Sequence, residues 1–237
     1  MYLEKSNEVW HEAFCAKIPM KAMLLAAGRG ERMGQLTVDQ PKPLLSLGTE
    51  TLIGRHLRRL AEAGIDEVVI NLSHCGDQLR HAVGETSEWG QTIVYSDEGV
   101  PPLETAGGII QALPLLGSEP FLVVSADIVT EFDFRTLLAG EELGCLVLVP
   151  SPAHHTAGDF GLTASGELTL QPPLFTYSGI ALLNKSVFQG LDPGVRPLRS
   201  VFEAAAEKQA LRGILFNGLW KDVGTPERLA EARAALI

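Results

Sequence analysis

Short apolar runs rich in β-branched residues alternate along this chain with stretches of helical spacing, and that alternation restricts the fold more than any other feature. The runs cover residues 23–26, 67–72, 92–95, 121–125 and 145–149. Between the first two, Leu52, His56, Leu57, Leu60 and Ala63 share one helical face before Gly64, a helix stop. Residues 77–83, 107–113 and 134–138 read as further helices, the last capped by Asp133. Strand alternating with helix predicts an α/β fold with a mostly parallel central sheet flanked by helices. Such sheets bind ligands beyond the carboxyl ends of their strands, where loops and helix N-termini converge.

The second half is less regular. Residues 160–163 and 168–170 flank Ala164-Ser165-Gly166, a hairpin turn, and residues 177–183 read as another buried strand. Residues 203–210 are expected to be helical and 213–216 extended. A closing helix over 227–237 is begun by Thr225-Pro226. No Gly/Ser-rich linker, composition break or internal repeat divides the chain. Residues 20–237 are therefore expected to form one domain whose second half builds one wall of a cleft, preceded by an N-terminal extension over residues 1–19.

Charge narrows the function. The 29 acidic and 19 basic residues give a net charge of −10, which disfavours nucleic acid and membrane surfaces as partners, because both call for a basic face. No apolar run approaches the ~18 residues that span a bilayer. The first 19 residues mix charges and lack the apolar core of a secretory signal. A cytoplasmic protein is the expectation. Cys15, Cys75 and Cys145 are widely spaced without a C-x-x-C pair, so they are read as structural. Adjacent His154 and His155 would point to opposite faces of an extended segment, which makes a polar loop the default.

The chemistry concentrates after the first strand, in Ala26-Ala27-Gly28-Arg29-Gly30-Glu31-Arg32-Met33-Gly34. It is neither a dinucleotide fingerprint, whose third glycine would come one residue earlier, nor a Walker loop, which ends in G-K-[ST]. What remains is a loop of small residues whose backbone N–H groups can approach an anion closely, beside Arg29 and Arg32. Lys42 stands between Pro41 and Pro43, which hold its backbone extended and lower the entropic cost of presenting its ammonium at one place. Three cations so close together in an acidic protein suggest a polyphosphate site. Asp127 follows the strand at 121–125, and Asp222 lies in Trp220-Lys221-Asp222-Val223-Gly224-Thr225-Pro226, at a strand end before a helix. Two separated carboxylates facing a triphosphate are what Mg²⁺ requires.

Together AAGRGERM, PKPLL, LETAGGI, a strand ending in SAD, and WKDVGTPE resemble the sugar-1-phosphate nucleotidyltransferases, from Met20 to the C-terminus. The resemblance implies a Rossmann-like sheet of the nucleotide-diphospho-sugar transferase type, with UTP and a sugar 1-phosphate as substrates and Mg²⁺ as cofactor. It implies that Ala27, Gly28, Arg29, Gly30 and Lys42 hold the nucleotide phosphates, and that Glu98, Thr105 and Gly107 receive the base. Arg32, Lys42 and Asp127 would be catalytic, Asp127 and Asp222 would hold the metal, and Ser125, Asp159 and Gly179 would contact the sugar. The segments Leu103 to Gly108, His154 to Phe160 and Tyr177 to Ile180 point within the family to N-acetylmuramate 1-phosphate as the sugar.

Departures accompany the match. Gly34-Gln35 stands where many relatives have Arg-Pro or His-Pro, and Ala126-Asp127 where Gly-Asp is usual. A Glu-Lys-Pro segment used by many hexose enzymes is absent, which weighs against glucose 1-phosphate. Residues 1–19 have no counterpart, making Met20 a candidate start. Three rival readings are the same chemistry on another pair, such as mannose 1-phosphate with GTP, a non-catalytic nucleotide-sugar-binding module, and a kinase that transfers the γ-phosphate.

Overall fold

The computed structural model describes residues 20–139 and 144–236. The expected N-terminal extension, Cys15 and Ile237, the end of the helix expected over 227–237, lie outside the described residues. In chain order the first elements are β1 (Lys21–Leu25), α1 (Leu52–Glu62), β2 (Glu67–Leu72), α2 (Gly76–Val83), β3 (Thr92–Asp97), α3 (Glu104–Leu116), β4 (Phe121–Ser125), β5 (Ile128–Thr130) and α4 (Arg135–Leu138). Then follow β6 (Cys145–Val149), β7 (Gly161–Leu162), β8 (Leu168–Thr169), β9 (Thr176–Leu183), α5 (Leu198–Glu207), β10 (Arg212–Leu215), β11 (Trp220–Asp222) and α6 (Pro226–Ala234).

Seven strands form the main sheet in the order β10-β6-β9-β4-β1-β2-β3. All neighbours are parallel except β9, which runs antiparallel between β4 and β6. The mostly parallel sheet expected from the alternation is present, and β9 is its one reversal. Successive side chains of a strand point to opposite faces, and the core divides accordingly. Ala22, Leu24, Val68, Ile70, Leu122 and Val124 pack with Ile53, Leu57 and Leu60 of α1 on one side. Met23, Val69, Val123, Leu146 and Ala181 pack with Ile109 and Ala112 of α3 and Val201 and Phe202 of α5 on the other. Each large side chain fully buried this way contributes about 1.5–3 kcal/mol.

A third, smaller core positions the site. Met33, Leu45, Leu47, Leu52, Val129, Val223, Leu229 and Ala232 are buried together. They join the segment after the glycine loop to the two-stranded ribbon of β5 and β11, and to α6. Thr225 caps α6 through its hydroxyl, which accepts from Arg228 N at 3.4 Å, with Pro226 in the first turn. The helix expected after Thr225-Pro226 therefore begins where the sequence places it. Asp133 likewise caps α4, its Oδ1 accepting from Arg135 N at 3.1 Å.

Boundaries differ from expectation at three helices, the closing one among them: expected over 227–237, it runs Pro226–Ala234 and ends in a turn at Ala235 and Leu236. The helix expected over 107–113 runs Glu104–Leu116, and the one expected over 203–210 runs Leu198–Glu207. Pro197, extended at φ −73° and ψ 140°, sets the latter start, and the apolar stripe Leu198, Val201, Phe202, Ala205 continues from it. The 160–170 hairpin forms as β7 and β8, closed by Thr163 N donating to Glu167 O at 2.9 Å. Cys145 is buried in β6, as its apolar strand predicts. Among the described residues no helix is long and apolar enough to cross a membrane.

One buried histidine ties α1 to the ribbon. His56 is 1% exposed, and its Nε2–H donates to Ile128 O at 2.9 Å. Burial lowers its pKa from the ordinary 6.5 to about 4, so the unfolded chain binds this proton at a higher pH than the folded one. The stability held by the neutral ring is complete above about pH 6.5 and is lost as pH falls toward 4. Stability to urea is expected to be lower at pH 5 than at pH 6.5 by about 1.5 kcal/mol from this residue. A His56→Gln variant with the same pH slope would contradict the assignment.

Candidate functional site

The loop leaving β1 turns at Gly30, whose φ of +66° favours glycine. A Cβ at Gly30 would also meet Lys42 Cβ and Thr37 Cγ2 at 3.2 Å, so loop and lysine pack closely. Pro41 is extended, and Lys42–Leu44 form one tight turn in which Leu45 N donates to Lys42 O at 3.0 Å. The lysine side chain is only 8% exposed, and its Nζ donates to Asp127 Oδ2 at 2.6 Å. Asp127 remains 44% exposed, and its other oxygen has no partner among the described residues.

Asp127 and Asp222 stand one position apart across the small ribbon. Asp222 pairs with Ile128, and Val223 N donates to Asp127 O at 2.8 Å. The two carboxylates therefore leave neighbouring positions on adjacent antiparallel strands. Asp222 is oriented by Arg228, whose Nη1 donates to Oδ2, and by His154, whose Nε2 lies 2.8 Å from Oδ1. His154 Nε2 is also 2.8 Å from Arg228 Nη1. By sequence alone His154 reads as a loop residue and Arg228 carries no signal. Their role depends on a partner far away in the chain, which local pattern does not report.

Two cavities meet at this point. The first, about 620 Å³, is lined by Ala27, Gly28, Arg29, Gly30, Lys42 and Glu98 among others. The second, about 670 Å³, is lined by His155, Asp159, Phe160, Tyr177, Gly179, Arg199, Asp222 and their neighbours. Arg32, Glu104, Thr105, Ser125 and Asp127 line both. Each volume suits a small-molecule substrate. The geometry thus offers two ligand chambers with a shared seam of one arginine, two carboxylates and two hydroxyls.

Most candidate residues converge here, with some roles changed. Gly107 lines neither cavity. Its N donates to Arg196 O at 3.2 Å, and a Cβ there would fall 2.2 Å from Gly194 O. It is a packing position between α3 and the 194–196 segment. Glu98 borders the first cavity, but both of its oxygens already accept bonds from the protein, from Asn71 Nδ2 at 2.6 Å and Leu103 N at 2.9 Å. Asp159 faces the second cavity while Oδ2 accepts from Tyr177 N at 2.9 Å and Oδ1 lies 3.2 Å from His155 Nε2 and 3.4 Å from Arg199 Nη1. Arg199 is a cavity residue without a local signal in the sequence, and His155, read there as a polar loop residue, lines the same cavity. Gly179 sits in a bulge where β9 slips against Val147 and Leu148 of β6. Its φ is +84°, and a Cβ would lie 2.7 Å from Ser125 Oγ, so glycine is what lets β9 approach the seam.

Comparison with known proteins adds four findings. Residues 21–168 match the model of the family described as Nucleotidyl transferase. The chain is 44% identical to N-acetylmuramate alpha-1-phosphate uridylyltransferase of Neisseria meningitidis serogroup B, over 91% of this chain and 97% of that protein. It is 31% identical to the protein of the same name from Caulobacter vibrioides, over 93% and 98%. In fold it superposes on the crystal structure of HddC from Yersinia pseudotuberculosis complexed with GMP-PN, with a TM-score of 0.75 and 18% identity, covering 92% of this chain and all of that one.

Proposed function

The chain belongs to the nucleotidyl transferase family, and on that premise we propose that it transfers the uridylyl group of UTP to N-acetylmuramate 1-phosphate, forming UDP-N-acetylmuramate and pyrophosphate. The observation that carries this reading is the seam, where a glycine loop with its cations and a second chamber share Asp127 and Arg32. The base and the sugar rest on the two relatives of that name.

The sugar 1-phosphate lies in the second chamber and the triphosphate in the first. A phosphate oxygen of the sugar attacks the α-phosphorus. The new P–O bond forms as the bond from the α-phosphorus to its bridging oxygen breaks, and that electron pair leaves with pyrophosphate. A phosphomonoester has a second pKa near ~6, so the nucleophile is already ionised at neutral pH and needs no general base. The remaining work is positioning and charge neutralisation. Backbone N–H groups of the loop from Gly28 to Gly30 hold the phosphates. Arg32 and Lys42 offset the charge that moves onto the leaving group.

Mg²⁺ is proposed as the cofactor, with Asp127 and Asp222 as its protein ligands. The donor set fits a hard cation that takes one or two carboxylates and completes its shell with water and phosphate oxygens. Asp127 has an oxygen unclaimed by any described residue, and Asp222 is held in place by Arg228 and His154. When bound, the ion would withdraw charge from the phosphate oxygens. Asp222→Asn is expected to raise the Mg²⁺ concentration for half-maximal activity severalfold, and an unchanged metal titration would remove Asp222 from the ligand set. Substrates of this kind put the enzyme in the cytoplasm, reusing a cell-wall sugar.

Phosphorus NMR of the reaction mixture tests the chemistry. The reading expects the UTP resonances to give way to inorganic pyrophosphate and a sugar-linked diphosphate diester. Appearance of UDP instead would mean γ-phosphate transfer and would overturn it.

A further inference from the structure

Glu104 is an outlier. It opens α3 with a φ of +58°, a left-handed conformation that brings a side chain's Cβ too close to the following carbonyl. Strain of this kind persists only where the surroundings hold it, and it collects at functional sites. Glu104 and Thr105 line both chambers, so the strained turn forms part of the seam.

What holds the turn is a buried polar bridge. Ala26 N, where the glycine loop begins, donates to Asn71 Oδ1 at 2.6 Å. Asn71 Nδ2 donates to Glu98 Oε1 at 2.6 Å, and Glu98 Oε2 accepts from Leu103 N at 2.9 Å. Asn71 is 3% exposed and Glu98 9%. A backbone N–H only donates, so Ala26 turns the amide oxygen of Asn71 toward the loop and its NH₂ toward Glu98. Leu103 N also only donates, which makes an acceptor-only carboxylate the matching group at residue 98. A Cβ on Gly108 would lie 2.2 Å from Glu98 Oε1, so α3 makes room for the bridge. On the far side, Arg196 N donates to Leu103 O at 2.9 Å.

We propose that Asn71 and Glu98 are positioning residues that lock the phosphate-binding loop to the strained Leu103–Glu104 turn, so that the nucleotide meets one preformed chamber. Both residues line the first chamber, with their oxygens and the Asn71 amide committed to the bridge. The inference rests on the reading of the first chamber as the UTP site.

Exchanging the two side-chain chemistries gives the test. Glu98→Gln sets an amide NH₂ against one of two donors, and Asn71→Asp sets a carboxylate against Glu98. Each single variant is expected to weaken UTP binding about tenfold or more, the scale of a mispaired buried group. In the double variant N71D/E98Q every bond is restored. Ala26 N and the new amide NH₂ at position 98 would both donate to the new carboxylate at position 71, and Leu103 N would donate to the amide oxygen at position 98. UTP affinity by titration calorimetry, KM and kcat, and thermal unfolding are compared across the four proteins. Recovery of UTP affinity to within about threefold of wild type supports the bridge, also where a single variant fails to fold. A double variant that fails to fold, or binds UTP no better than the weaker single, overturns it. Singles that fold and bind UTP normally overturn it too. If the wild-type protein itself bound no UTP, the functional reading would fail and not the bridge.

Discussion

Asp127→Asn is expected to lower turnover at least about 100-fold, equivalent to roughly 2.7 kcal/mol or more of transition-state stabilisation. The amide keeps the shape of the carboxylate and removes its charge at a position that lines both chambers and contacts Lys42. Folding should change by only about 1–2 kcal/mol, because Asp127 is half exposed and the amide oxygen can still accept from Lys42, although the nearly buried ammonium loses its counter-charge. Turnover and urea unfolding measured side by side separate the two effects. Near-normal turnover in a folded variant would take Asp127 out of the reaction.

Lys42→Ala is expected to cost a similar amount, again about 2.7 kcal/mol or more. The loss should fall mainly on kcat, because the ammonium is assigned to the charge that develops on the leaving pyrophosphate, not to charge already present in the ground state. Arginine should not substitute. Lys42 is 8% exposed and its Nζ donates to Asp127 Oδ2 at 2.6 Å, a nearly buried position for a compact ammonium that a larger planar guanidinium does not match. A Lys42→Arg variant with wild-type kcat would contradict that argument, and a Lys42→Ala variant altered only in KM would reduce the lysine to ground-state binding.

Much of this was legible because the signals are local. The runs at 67–72, 121–125 and 145–149 are strands with those bounds, since β-branched residues buried on both faces declare themselves without reference to neighbours. The glycine loop, Lys42 between its prolines and Asp127 at a strand end carry their chemistry in short stretches of chain. What escaped depends on pairing between distant segments. β5 and β11 are three residues each, too short for periodicity, yet their ribbon is what places Asp127 beside Asp222. His154 and Arg228 gain their role only through Asp222. Glu98 shows the converse: the resemblance singles it out as a residue that receives the base, but local pattern does not report the commitment of its oxygens to Asn71 and Leu103. At Gly107, expected from the resemblance to receive the base, the close approach of Gly194 O is a further demand for glycine that no local pattern reports.

The two-chamber account is tested most directly by pyrophosphate release from UTP and Mg²⁺, with N-acetylmuramate, N-acetylglucosamine, glucose and mannose 1-phosphates offered separately. The account predicts release that depends on the sugar phosphate and is fastest with the muramate. Release led by another sugar would keep the chemistry and contradict the assigned substrate, and no release with any sugar or nucleoside triphosphate would contradict the account as a whole.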